Sequence, residues 1–557
     1  MLTGEAGTIS DDYYLANFHR LAEFVVDTYR DILTPEERQW YASLQAAPES
    51  AQRLYIRLLT RKGSVFRLSR LRYPEIDDLQ HAAGLLETRG LADVTPPSDL
   101  PSLLAAFTKP ELLDLFEVST GRSRSRAELV QQWLSSDGSE RDRLVELLQR
   151  ADEWITLFGH HHWNVFRLSF FGNLYQDSSE FVLQELGTVR YESYRLDSNA
   201  RAFSTRGQLS AHLRYFECEA LFETVDSKQA DQLLDLIRQL PAMINGDDHL
   251  QRRVDRYRNR IARQLERLGR YTDALALYAQ SLHPPARERR IRIYLKQGEH
   301  DGARQLLANL REQPFNDAEV QVGERLQTQL HKLDGVKIKS VPRFKPQTTV
   351  LTLVDSSRRV ELAARDFYAR FGECRYTENA LVNSVLGLFI WDIIFYPVSG
   401  AFFNPFQSSP ADFYQPSFSR RRASQLMRRF EELDRPSLFR QRIIDAHTQH
   451  KGKSNPLVRW GRVDRELLDL ALARIPPDHW RAMFQRILSD MRENTSGFPD
   501  LVLFRDEGGY EFIEIKGPGD TLQSNQLRWM RHFDQCQIPC RVVNIRWAQQ
   551  TDTVDGS

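Results

Sequence analysis

Two carboxylates and an ammonium lie close together late in the sequence: Asp500 after Pro499, then Glu514-Ile515-Lys516. Leu501-Val502-Leu503-Phe504 has an apolar strand pattern and Asp506-Glu507-Gly508-Gly509 is turn chemistry. Tyr510 to Lys516 alternates before it stops at Gly517-Pro518-Gly519. Two strands around a Gly-rich turn predict a hairpin. With the turn centred near Glu507, Asp500 falls opposite Glu514 or Ile515. Glu514 and Lys516 are two residues apart, so they share a face, about 7 Å apart along the strand. Such a grouping suits phosphodiester hydrolysis. Two carboxylates and a main-chain carbonyl, such as that of Ile515, are oxygen ligands of the kind Mg²⁺ favours. The ion would offset charge on the phosphate and acidify a bound water. Lys516 could steady the scissile phosphate or position the attacking water. The competing reading is a surface hairpin with cross-strand ion pairs and no chemistry.

The elements around the hairpin must hold these groups in place. Asp520-Thr521-Leu522 opens a helix that carries Gln526 and Trp529 on one face. Upstream, Tyr376-Thr377-Glu378-Asn379-Ala380-Leu381 starts an apolar helix with Thr377 as its cap, which sets Glu378 near a helix N-terminus, where a carboxylate is stabilised. Gly335 to Thr349 is basic, holds two prolines and lacks helical periodicity. Residues 336–349 are therefore read as a linker, and 350–550 as the catalytic domain.

A chain of 557 residues is too long for one core; at about 150 residues per domain it holds roughly three or four. Apolar residues at 41% and charged residues at 27% fit a soluble globular protein. The most apolar run, Ala380 to Val398, is broken by Asn383 and Asp392, so no membrane span is expected. Met1 to Glu5 lacks the regions of a signal peptide, which points to the cytoplasm, or the nucleus of a eukaryote. The 75 basic and 75 acidic residues cancel, so any nucleic-acid footprint must come from local patches. Four cysteines argue against a disulfide scaffold. His532, Cys536 and Cys540 lack a fourth zinc ligand nearby, so free thiols are the better reading.

Residues 1–96 read as a helical DNA-binding domain, in which Arg57 and Arg61 lie one helical turn apart with Lys62 beside them. A solvated face is the alternative for that stripe. Residues 97–150 hold two short helices around the basic link Thr120 to Arg126, which resembles the SAP module. His160-His161-His162 follows Gly159, and adjacent side chains converge poorly on one ion, so a turn or packing role is expected. Residues 151–335 read as helical. Within them Leu265, Gly269, Tyr271, Ala274 and Tyr278, restated as Leu295, Gly298, Ala303 and Leu307, are spaced like tetratricopeptide hairpins. Such repeats often bind protein partners.

Taken together, Glu378, Trp391 to Phe395, Gly497 to Val502, Glu514 to Asp520 and Gln526 to Trp529 resemble the VRR-NUC domain, a branch of the PD-(D/E)XK nuclease superfamily. The order of the other segments is similar to that of the Fanconi anaemia-associated nuclease family, in a bacterial-type form. The resemblance implies a multidomain, mostly α protein with a C-terminal α/β restriction-endonuclease-like domain. The implied activity is a 5′-flap endonuclease and 5′-to-3′ exonuclease of phosphodiesterase I type, acting on branched or flapped DNA in interstrand crosslink repair. Carried over, Glu378, Asp500, Glu514 and the Ile515 carbonyl would bind Mg²⁺ or Mn²⁺, Lys516 would be the catalytic lysine, and Gln526 would support the site. Tyr14, Arg57, Arg61 and Lys62 would touch duplex DNA. One departure is the lack of the cysteine pattern of the ubiquitin-binding zinc finger that eukaryotic members carry, which counts against recruitment by ubiquitin. A monomer is expected, because large helical domains could occlude the dimer that smaller VRR-NUC proteins resemble. The competing functions are a DNA- or partner-binding scaffold with an inert nuclease fold, and a Holliday-junction resolvase.

Overall fold

The computed structural model describes residues 12–117, 123–196, 201–335, 344–354 and 358–548. They divide into two compact units. One comprises the described residues up to Thr188 with Arg201–Leu213; the other holds the described residues of 189–200 and those from Arg214 onward. No described helix is long and apolar enough to cross a membrane.

The first unit opens with helices Tyr13–Tyr29, Pro35–Gln45 and Glu49–Leu59. Phe18, Leu21, Leu54 and Tyr55 bury their apolar faces. A capping box between Thr34 and Glu37 starts the second helix. Strands β1 (Val65–Arg67), β2 (Ala92–Asp93) and β3 (Trp154–Leu157) form an antiparallel sheet in the order β1-β3-β2. The first unit runs through residue 150, because β3 completes a sheet that β1 begins. Between β2 and β3, helices Leu100–Ala105, Lys109–Leu115, Arg126–Leu134 and Gly138–Arg150 share a core with Trp133 and Trp154. Residues 120–122 of the basic link expected between the SAP-like helices lie outside the described residues. Buried Arg67 joins the two parts through Glu111 at 2.8 Å and Asp152 at 2.9 Å.

The histidine triplet forms the first turn of helix His160–Phe171. The ring of His162 lies 5.8 Å from that of Trp40, and burial lowers the pKa of both His160 and His162. Packing is its role. Gly159 precedes it at φ +89°, where a Cβ would overlap the Trp40 indole nitrogen at 2.2 Å.

In the second unit, helices Asp248–Arg267, Tyr271–Ala279, Ala286–Gln297, His300–Glu312 and Asp317–Leu333 stack as hairpins. The repeat seen in the sequence has a plain cause. Gly269 and Gly298 adopt left-handed φ angles of +78° and +79° that turn the chain. Ala274 and Ala303 are fully buried, where the helices approach most closely.

A five-stranded sheet follows: β4 (Thr348–Val354), β5 (Gly372–Tyr376), β6 (Leu501–Arg505), β7 (Tyr510–Lys516) and β8 (Cys540–Ala548), in the order β4-β8-β7-β6-β5. Most of the expected linker, residues 336–343, lies outside the described residues, and β4 already begins at Thr348. β4 and β7 pair parallel to β8, whereas β5 and β7 pair antiparallel to β6. Helix Val360–Tyr368 covers one face with Leu501, Leu503, Ile513 and Ile515, and the other face packs Val502, Phe504 and Phe512 against Trp529 and Phe533. Both faces are covered, which explains why β6 is apolar without alternation. The apolar run after Ala380 is the fully buried helix Leu381–Phe389, part of a helical insertion between β5 and β6. Cys536 and Cys540 are free thiols.

Candidate active site

The β6–β7 register sets the site. Leu501 pairs with Ile513 and Val502 with Phe512, so the next residue outward, Asp500, stands at the level of Glu514. An Asp500 carboxylate oxygen accepts the Ile515 N–H at 2.9 Å. On the shared face, Lys516 Nζ lies 2.9 Å from Glu514 Oε1.

Helix Ser524–Gln535 supplies the brace. Gln526 Nε2 donates to Glu514 Oε1 at 2.6 Å, and its Oε1 accepts from Lys516 Nζ at 3.0 Å and from the Gln523 N–H at 2.9 Å. Those donors fix which way the amide faces. The same helix lies tight against the loop before Asp500. Gly497 has φ +94°, and a Cβ there would sit 2.9 Å from the Asn525 backbone carbon. Phe498 stacks on Trp529 with ring centres 4.0 Å apart.

Glu378 reaches the site differently from the expectation. The helix begins at Leu381, with Ala380 as N-cap and no side-chain cap. Thr377 and Glu378 instead form a turn whose two N–H groups donate to the Asp500 carbonyl, each at 2.9 Å. Glu378 takes a left-handed φ of +39°, a conformation that costs a non-glycine residue free energy and persists only where its surroundings enforce it. Its carboxylate accepts from the Tyr376 hydroxyl at 2.6 Å. The helix-dipole role expected for Glu378 is replaced by this turn, because β5 hands the chain directly to the Asp500 loop.

The electrostatics are those of crowded anions. Burial, then the Asp500 charge, push Glu514 up to about 8 against the pull of Lys516, with Glu378 adding to the rise. Burial is also the main cause that raises Asp500 to about 6, with Glu361 and Glu378 adding to it. Glu514 is 1% exposed, and its Oε2 has no hydrogen-bond partner. A buried carboxylate oxygen without a donor carries a large desolvation cost, and a divalent cation with oxygen ligands would remove it. The residues present therefore fit a divalent metal ion, which Asp500 and Glu514 could hold with Glu378 at the rim. No three His, Cys, Asp or Glu side chains among the described residues are already drawn into a closed cage.

Glu361, in the first turn of helix Val360–Tyr368, was missed from sequence. Its only signal is an acidic residue opening the first helix of the domain. Asp392, in the segment that carried the family resemblance, is exposed and pairs with buried Arg429 at 2.7 Å.

The residues expected to touch duplex DNA lie in the other unit. The Arg57 guanidinium sits 3.9 Å from the Tyr14 ring centre and pairs with Glu75 at 2.7 Å. Arg61 donates to the Tyr73 hydroxyl at 3.1 Å, and Lys62 is exposed. The helix stops at Leu59 with Thr60 as C-cap. Arg61 and Lys62 therefore follow in a turn and do not continue one helical stripe with Arg57.

Comparison with known proteins agrees with this architecture. The VRR-NUC domain family model matches residues 435–547, the FAN1 HTH domain matches residues 12–93, and a tetratricopeptide repeat matches residues 265–330. The first match spans Asp500, Glu514, Lys516 and Gln526 and leaves Glu378 outside. A Fanconi-associated nuclease 1 homolog of Pseudomonas aeruginosa is 34% identical over 549 residues, 96% of each chain. A homolog from Arabidopsis thaliana is 27% identical, over 97% of this chain and 68% of the relative. A crystal structure of paFAN1 bound to 5′-flap DNA with a 2-nucleotide flap and a gap superposes with a TM-score of 0.90 at 32% identity, covering 98% of this chain and 100% of the other.

Proposed function

Because the chain belongs to the Fanconi-associated nuclease 1 family, we propose that it is a metal-dependent, structure-specific DNA nuclease. It cuts 5′ flaps endonucleolytically, degrades strands 5′ to 3′ as a phosphodiesterase I-type enzyme, and serves repair such as that of interstrand crosslinks. The observation that carries the reading is buried Glu514 and Lys516 joined to half-buried Asp500 and Gln526, a set that is coherent as a hydrolytic site and costly as mere structure. On this reading the protein works as a monomer in the cytoplasm on branched or flapped DNA, and its helical repeats are free to hold a protein partner.

Asp500, Glu514, the Ile515 carbonyl and Glu378 would hold Mg²⁺ or Mn²⁺. When bound, the cation supplies charge compensation to the phosphate and lowers the pKa of a water. Lys516 then has a phosphate oxygen or the attacking water as its partner, and shares the charge that grows as water attacks phosphorus and the bond to the leaving oxygen breaks. Gln526 keeps Lys516 and Glu514 at fixed spacing, so little reorganisation is needed at the moment of reaction. In the first unit, Tyr14, Arg57, Arg61 and Lys62 would contact the phosphates of the duplex arm.

The test is cleavage of a labelled 5′-flap DNA with Mg²⁺ or Mn²⁺ and with chelator, beside Asp500→Ala and Lys516→Ala. Metal-dependent cutting near the junction, lost in both variants while DNA affinity is retained, is expected. A wild-type chain that cuts no flap, fork or single strand would leave the inert-scaffold reading. Preferential cutting of four-way junctions would favour a resolvase.

A further inference from the structure

Resting on the nuclease reading above, we infer that a cavity beside Glu378 seats one nucleotide of the strand being cut, adjacent to the scissile bond. Arg459 and Arg462 grip its phosphate there. The cavity has a volume of about 250 Å³, and its walls include Glu378, Asn383, Tyr414, Arg459 and Arg462. It therefore opens directly onto the carboxylate at the rim of the hydrolytic site.

Two features make it more than a surface dent. First, both guanidiniums are exposed, and neither has an ion pair among the described residues. The neighbouring acids are committed elsewhere: Asp464 and Glu466 both face Arg375, at 3.5 and 3.6 Å. Arg462 stands 5.0 Å from the ring centre of Tyr376, whose hydroxyl donates to Glu378. In a chain whose positive and negative charges balance, two uncompensated arginines at the catalytic rim form a local anion site.

Second, the loop that carries them is fixed although their side chains are free. The Asn455 side chain accepts from the backbone N–H groups of Leu457 and Val458, the Arg459 N–H donates to the Ser384 hydroxyl at 3.0 Å, and the Trp460 indole donates to the Lys453 carbonyl at 2.7 Å. Gly387 of the buried helix lets this loop approach, since a Cβ there would stand 2.9 Å from Leu457 and Val458. Immobile backbone with unpaired guanidiniums is what a preorganised phosphate grip requires.

The rest of the cavity suits a sugar and base. Tyr414 is 42% exposed and offers a ring face for stacking. Buried Asn383 spends both amide hydrogens on the Asn379 and Thr495 carbonyls, at 2.6 and 2.8 Å, which leaves its Oδ1 without a donor. These arginines are positioning residues, because they hold the strand and leave the reacting phosphate to Lys516 and the carboxylates.

The test pairs the Arg459→Gln/Arg462→Gln variant with 5′-flap substrates that carry a single uncharged methylphosphonate, stepped through the linkages on either side of the cut. On unmodified DNA the double variant should lose about 10- to 100-fold in kcat/KM, as expected for two charge-assisted contacts. Methylphosphonate at one flanking linkage should slow the wild type by a similar factor and the variant hardly at all. Arg459→Lys/Arg462→Lys should recover part of the loss. Unchanged kcat/KM in the double variant would overturn the inference, as would a loss that adds in full to that of every methylphosphonate. Wild-type cutting of unmodified DNA is the control: its failure refutes the nuclease reading, whereas its success with an indifferent variant refutes the phosphate grip alone.

Discussion

Replacing Glu514 by Gln should make the metal-free protein more stable at neutral pH while it destroys activity. Glu514 is buried, its Oε2 lacks a donor, and its carboxyl is pushed up to about 8 from an ordinary 4.5. A carboxyl whose pKa is higher in the fold than in the unfolded chain opposes folding above the unfolded value. The penalty grows from about pH 4.5 and is complete by about pH 8; below pH 4.5 both states are protonated and it vanishes. At pH 7 those two values correspond to about 3 kcal/mol against folding. Glutamine preserves the Oε1 contacts to Gln526 and Lys516 but puts an amide donor where Oε2 has no partner, at a cost of about 1–2 kcal/mol. The net expectation is a gain of about 1–2 kcal/mol, or roughly 2–4 °C in the melting of the catalytic region.

Calorimetry of both proteins in chelator across pH 4 to 8 is the assay, with hydrogen exchange at the β7 amides to localise the effect. The gap should open as pH rises through the carboxylate range. Saturating Mn²⁺ should then reverse the order, because an ion that binds only the fold stabilises the wild type. A metal-free Glu514→Gln protein that melts below wild type at pH 7.5 as it does at pH 4 would refute the argument. It would mean that the carboxylate is satisfied by the fold itself.

Three further outcomes follow from the geometry. Arg61→Ala should flatten the salt dependence of DNA binding by about one phosphate contact, whereas Arg57→Ala should also cost stability, because it leaves the largely buried Glu75 carboxylate with the Tyr14 hydroxyl but no cation; salt titrations of affinity and melting curves separate the two. Gly497→Ala forces a Cβ to 2.9 Å from Asn525 at φ +94° and should cost about 2 kcal/mol. The control Gly84→Ala meets nothing within 4 Å and should leave melting unchanged or slightly raised. Gln526→Leu should lower kcat far more than KM in single-turnover cleavage, since it frees Lys516 without removing a DNA contact.

What the sequence discloses here is what local counting can disclose. The β6–β7 hairpin was legible because a Gly-Gly turn between two apolar runs fixes which residues stand opposite each other, and Asp500 does meet Glu514. The repeat helices were legible because glycine and alanine recur where the chain turns and helices touch. Glu378 was visible as a residue but not as a conformation. An apolar helix beginning soon after it suggested a capped N-terminus, whereas contact with the Asp500 carbonyl imposes a left-handed turn. That Arg57 and Arg61 do not share one helix was not legible for a related reason, because nothing local marks Leu59 as the helix end. Glu361, Arg459 and Arg462 come from segments remote in sequence from Asp500, and only the tertiary fold brings them near the site.

The site also shows how crowded anions can be held by the fold itself. Each acidic group is fixed by a different segment, Asp500 and Glu378 through main chain and Glu514 through the Gln526 side chain. The Asp500 carbonyl takes two N–H groups from the turn after β5, its carboxylate takes the Ile515 N–H of β7, and Glu514 is braced by a helix whose close approach requires Gly497. Mutual repulsion can raise the pKa of these carboxyls, yet it cannot move their backbones without breaking a hairpin, a turn and a helix contact together. The strain therefore remains in protonation and unsatisfied hydrogen bonding, the two quantities a divalent cation relieves directly. Substitutions that remove charge should then free the fold while they empty the site of its chemistry, and substitutions that loosen the backbone, at Gly497 above all, should lose both at once.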